Sequence, residues 1–168
     1  MANEQRAWDQ WLAGLPTQQR TAAIALRDRF AQVGADGPEE WAKSEVSEDI
    51  PQLASFLLLR RLWDEVLDGW GNPGAVESVP PAARLLAAGA DRDDIVRTMQ
   101  AAAFEAVFGT LLVIDDSGAT TPDDQPYPGR RLHETDSAGQ DTGRCLGGLY
   151  ESLRATDPSG RDGQYFLA

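Results

Sequence analysis

Residues 50–70 crowd Ile50, Leu53, Phe56, Leu57, Leu59, Leu62, Trp63, Val66, Leu67 and Trp70 into one stretch that ends at Gly71-Asn72-Pro73-Gly74. No other feature of the chain constrains its fold as much. A helix apolar around nearly its whole circumference has to be buried, and Gly and Pro at its end permit a turn while forbidding continuation. The stretch is therefore expected to be the central helix of a mainly α protein.

Helical spacing extends on both sides of it. Trp8, Trp11, Leu12 and Leu15 lie three or four apart before Pro16, and Ile24, Leu26, Phe30 and Val33 continue a second run up to Gly34 and Gly37. Pro38-Glu39-Glu40-Trp41 has the form of a helix start, with proline in the first turn and carboxylates beside the positive end of the dipole. A short helix is expected over 81–88, closed by Gly89. The next opens at Asp91, whose carboxylate can accept the free amides of the first turn. Ile95, Met99, Ala102, Ala106, Thr110 and Ile114 then trace a stripe widened by Phe104, Phe108, Leu111 and Leu112. Residues 110–116 read as the end of this helix, with a buried strand as the alternative.

Glycine, proline, aspartate and hydroxyl residues crowd from Ser117 to Gly129, the signature of an exposed loop. Beyond it, residues 131–136 and 141–146 read as a β-hairpin around Ser137-Ala138-Gly139-Gln140, followed by a short helix over 149–154. The expected architecture is a compact helical bundle of roughly five or six helices with a small C-terminal hairpin and short helix. It forms a single domain over 1–168: a helical core at 1–116, a loop at 117–129, and the segment 130–168 packed on the core.

Charge narrows the function classes. The chain carries 27 acidic and 15 basic residues, a net charge of −12. That balance opposes nucleic-acid binding, which depends on Lys and Arg neutralising phosphates, and opposes anionic membranes. It suits a basic protein partner. The acidic excess lies on the helical part, where residues 1–129 hold 21 acids and 10 bases. Glu45, Glu48, Asp49, Asp64, Glu65 and Asp68 are concentrated around two successive segments and are expected to form one partner-binding face, with a solvated surface as the plainer alternative. A single cysteine excludes an internal disulfide. The first residues lack the apolar run of a signal peptide and no stretch approaches ~18 unbroken apolar residues, so a cytoplasmic location is expected.

Chemistry-bearing groups are sparse. His133 and Cys145 lie on the two hairpin strands, and with a two-residue turn at Ala138-Gly139 position 133 faces 144, which puts the two side chains on opposite faces. Only a three-residue loop would bring them together, so both read as packing residues. Asp91, Asp93 and Asp94, Asp115 and Asp116, and Asp123 and Asp124 do not reproduce a calcium-loop spacing, and no metal or cofactor is expected. Arg144 with Gly147 and Gly148 could present a guanidinium and backbone amides to an anion, with Arg130, Arg131 and Arg161 as contributors. Trp63 and Trp70 read as core residues.

The leading expectation is a small cytoplasmic interaction protein, an immunity or antitoxin-type inhibitor that masks a basic partner. One alternative is an anion-binding or enzymatic domain using the C-terminal Arg and Gly residues. The other is a structural subunit of a homo-oligomer.

Overall fold

The computed structural model describes residues 2–116 and 131–167, so the expected loop at 117–129 and Arg130 lie outside the described residues. These residues form eight α-helices and a two-stranded antiparallel hairpin, the mainly α architecture expected. They group into two compact units, Met1–Ser55 with Leu132–Leu146 and Phe56–Arg131 with Gly147–Ala168. The hairpin thus groups with the first helices and the last short helices with the second unit.

The first unit holds α1 (Ala2–Ala13), α2 (Thr17–Gln32), α3 (Pro38–Glu48), the first turn of α4 (Gln52–Leu62), β1 (Leu132–Thr135) and β2 (Asp141–Leu146). Trp8, Ala23, Phe30 and Ala42 form its dry interior. Trp8 meets Trp11 in a tilted arrangement at 5.1 Å between ring centres, and Phe30 stacks on Trp41 at 5.9 Å. Arg20 ties down the end of α1 by donating to Leu12 O at 2.9 Å and Ala13 O at 3.3 Å, and to Leu15 O just beyond it at 3.1 Å. Pro38 opens α3 as expected, with Gly37 in the left-handed region before it.

The second unit holds the rest of α4, a π turn (Trp63–Leu67), a 3-10 turn (Asp68–Gly71), α5 (Pro80–Ala87), α6 (Arg92–Asp115), α7 (Leu149–Ser152), a second 3-10 turn (Arg154–Thr156) and α8 (Gln164–Leu167). Trp63 is its centre. Its ring lies 5.9 Å from both Phe104 and Phe166, and its indole N–H donates to Leu153 O at 2.8 Å, which satisfies the one polar atom that burial would otherwise strand. Val76, Ala82 and Val96 form a smaller apolar cluster against Trp70, Val79, Leu86, Ile95 and Met99.

Two readings of the apolar stretch are corrected. It is not one helix over 50–70: α geometry ends at Leu62 and a π turn follows. Nor is it buried all round. Phe56, Leu59, Trp63 and Leu67 form a buried stripe while Leu57 and Val66 are exposed, so the run is amphipathic in effect. The α6 reading holds through Asp115, and Asp91 caps it by accepting from the amides of Asp93 and Asp94. Among the described residues α6 is the one helix whose length and composition would let it cross a membrane. Its Val96, Gln100, Phe104 and Leu111 side chains are buried inside the protein.

Candidate functional site

The six acidic residues meet different fates. Glu45 is 7% exposed and is not part of a solvent-facing surface. Its carboxylate accepts the Leu53 amide at 2.8 Å, an unpaired donor in the first turn of α4, and receives Arg144 Nη2 at 3.1 Å. A long-range ion pair together with a helix-capping role explains the burial of a charge that the sequence expectation placed on the surface. Glu48 is exposed and accepts from Ser44 Oγ, while Asp49 is 94% exposed in its side chain. In the second unit Asp64 and Glu65 are exposed, with Glu65 paired to Arg61 at 2.7 Å. Asp68 accepts from the Tyr165 hydroxyl at 2.6 Å. Burial, and then this carboxylate, pushes the Tyr165 phenol above its ordinary range.

The expected anion site is taken up from within. Arg144 lies 3.1 Å from Glu45, 3.2 Å from Glu134 and 3.6 Å from Asp49, an arrangement that answers the guanidinium with carboxylates of the same unit. In the second unit Gly148, at φ +65°, sets the backbone entering α7, and the free Tyr150 amide there donates to Asp115 Oδ2 at 3.2 Å. Asp115 thus occupies the place an anion would take, which also gives a carboxylate at the unfavourable end of α6 a structural reason to be there. Gly147 and Arg131 are exposed, and the Arg161 guanidinium stacks on the Tyr165 ring at 4.9 Å.

The hairpin register overturns the expectation for His133 and Cys145. Asp136 accepts from Gly139 N and donates its own amide to Gln140 O, which closes a three-residue loop rather than a two-residue turn. Thr135 then pairs with Asp141, but His133 pairs with Cys145 and Leu132 with Leu146. Three residues, Thr142, Gly143 and Arg144, therefore stand opposite Glu134 alone. Gly143, at φ +79°, makes this bulge possible, and Thr142 Oγ1 and Arg144 Nη1 both reach the Glu134 carboxylate. As a result Cys145 Sγ lies 3.7 Å from His133 Nε2, and His133 Nδ1 lies 3.2 Å from Asp141 Oδ2. Sequence spacing could not show this, because the bulge depends on Glu134, Thr142 and Arg144 meeting.

Two clefts were not anticipated from the sequence. In the second unit, α5 and the start of α6 bound a cleft of about 570 Å³ walled by Val79, Pro81, Leu85, Ile95 and Met99, with Asp91 and Asp94 at its edge. Leu85 is 54% exposed there. In the first unit, an open cleft of about 540 Å³ brings Asp36 and Glu40 beside Trp41. The chain matches no protein-family model, no curated protein and no solved structure. Its chemistry has to be read from these residues alone. Among the described residues no group of three His, Cys, Asp or Glu side chains is placed to hold a metal ion.

Proposed function

We propose that this chain is a small cytoplasmic interaction protein, an inhibitor of the immunity or antitoxin type, which binds a basic protein partner and seats an apolar anchor of that partner in the α5–α6 cleft. The observation that carries the reading is the pairing of an apolar wall with an acidic rim. Leu85, Ile95 and Met99 offer surface that gains by leaving water, and Asp91 and Asp94 stand where the cationic residues flanking such an anchor would lie. The net charge of −12 adds long-range attraction for a basic partner and repels acidic ones. Glu48 and Asp49 in the first unit and Asp64 and Glu65 in the second, all exposed, add negative charge that speeds encounter more than it tightens a complex.

The test is affinity capture from a lysate of the source organism with wild type and with Leu85→Asp, each at low and high salt. The variant keeps its fold because Leu85 is already mostly in solvent. A basic protein retained by wild type at low salt and lost both on adding salt and in Leu85→Asp supports the reading. Equal capture by the two proteins would remove the cleft from it.

A further inference from the structure

The hairpin carries an arrangement that the interaction reading leaves unused. Its two faces are differentiated by the bulge. Glu134 and Arg144 turn toward α3, where Arg144 meets the buried Glu45 carboxylate at 3.1 Å. That clamp leaves His133, Cys145 and Asp141 on the other face. There the imidazole stands between a thiol and a carboxylate, with Nε2 3.7 Å from Cys145 Sγ and Nδ1 3.2 Å from Asp141 Oδ2. The two ring nitrogens point in opposite directions. The three groups therefore do not converge on a common point as metal ligands would, but stand in the order of nucleophile, base and orienting acceptor.

Asp141 is itself fixed. Its Oδ1 accepts the Gly143 amide at 2.7 Å, inside the bulge. That bond, with the neighbouring imidazole behind it, holds the Asp141 carboxyl below its ordinary range. An ionised acceptor at Nδ1 keeps the ring's proton on that nitrogen and leaves Nε2 with a lone pair directed at sulphur. The side chains of His133 and Asp141 are 40% and 58% exposed, and Cys145 is half-buried. A reaction at an open surface position of this kind should need only approach along the sulphur, as displacement at a disulfide does.

We propose that Cys145 is a site of reversible S-thiolation by low-molecular-weight disulfides, with His133 as its general base and Asp141 as the residue that positions the ring. The Cys145 proton passes to His133 Nε2 as Sγ forms a bond to one sulphur of the disulfide. The disulfide's own S–S bond breaks, and its electron pair leaves with the second sulphur, which takes the proton back from the imidazolium. One S–S bond is exchanged for another: half of the reagent stays on Cys145 as a mixed disulfide, the other half leaves as a free thiol, and no further oxidant is needed. The chain has a single cysteine, so no second thiol within it resolves the product. The adduct persists until an external thiol reverses the same steps.

The experiment uses the full chain and glutathione disulfide at neutral pH, following mixed-disulfide formation by intact mass spectrometry. The folded wild type is expected to react at least about tenfold faster than the same chain unfolded in denaturant, a modest share of what general-base assistance delivers. His133→Gln should lose that advantage with its circular dichroism unchanged. Nitrogen NMR should place the His133 ring proton on Nδ1 in the wild type and on Nε2 in Asp141→Ala, a shift that a merely structural role for Asp141 would not produce. A folded wild type no faster than the unfolded chain would overturn the proposal even if both variants fail to fold, and so would a folded His133→Gln that keeps the wild-type rate.

Discussion

Arg144 and the buried Glu45 form a pair that is costly to break from one side. Glu45 is almost fully buried, so Arg144→Met would leave a carboxylate in a dry site with only the Leu53 amide to answer it. Removing one partner of such a pair costs about 3 kcal/mol, which denaturant unfolding would register. Glu48→Gln, at an exposed position three residues on, should change stability by less than about 0.5 kcal/mol. A second prediction concerns alkaline pH. The Tyr165 phenol is raised above its ordinary value of 10.0 by burial and by Asp68, and Tyr150 is raised in the same sense by its bond to Glu151. Below pH ~10 both folded and unfolded chains keep these protons. Above it the unfolded chain loses them first, so stability falls as pH rises. Melting temperatures measured between pH 8 and pH 12 should fall less steeply in Tyr165→Phe than in wild type. The burial of Glu45 was not legible in the sequence, because the partner that makes it tolerable lies 99 residues away.

At the scale of elements, the tightest constraint is the turn that closes on Trp63. Gly163 sits at φ +73°, and a Cβ there would lie 3.1 Å from the Phe166 ring and 3.2 Å from the Trp63 indole. Gly160 has a similar backbone, at φ +67°, with open space around it. Gly160→Ala should therefore show the left-handed penalty alone, about 1 kcal/mol, and Gly163→Ala that penalty plus the overpacking of rings, about 1–3 kcal/mol more. Equal losses in thermal melts would contradict the packing around Trp63. Element starts governed by local chemistry were legible: Pro38 for α3, the Asp91 cap for α6, the Gly89 end after α5. Features set by contacts distant in sequence were not. Nothing local announces the π turn after Leu62, since its residues are ordinary helix formers and the winding there belongs to a segment whose Trp63 is held by Leu153, Phe104 and Phe166. The hairpin bulge is hidden for the same reason, and with it the meeting of Cys145, His133 and Asp141.

For the whole molecule, the acidic balance and helical character were plain in the sequence, while the cleft was not. It arises because α5 and the start of α6 pack around Val76, Ala82 and Val96 while leaving Leu85 exposed and Ile95 and Met99 only partly covered, and no periodicity records what fails to cover a helix. A second copy of the chain is the other occupant such a surface could take. Light scattering at two concentrations should return a monomer, because two copies would bring Asp91 and Asp94 together with excess negative charge on both sides. Whether the α5–α6 cleft takes a basic partner is tested by an NMR titration of the wild type with a designed helical peptide of leucine and lysine, alongside its leucine–glutamate counterpart. The basic peptide is expected to shift the resonances of Leu85, Ile95, Thr98 and Met99, with shifts that weaken with salt and in Asp94→Lys, and the acidic peptide to have no effect. Shifts of equal size with both peptides, or shifts that leave these four residues untouched, would contradict it.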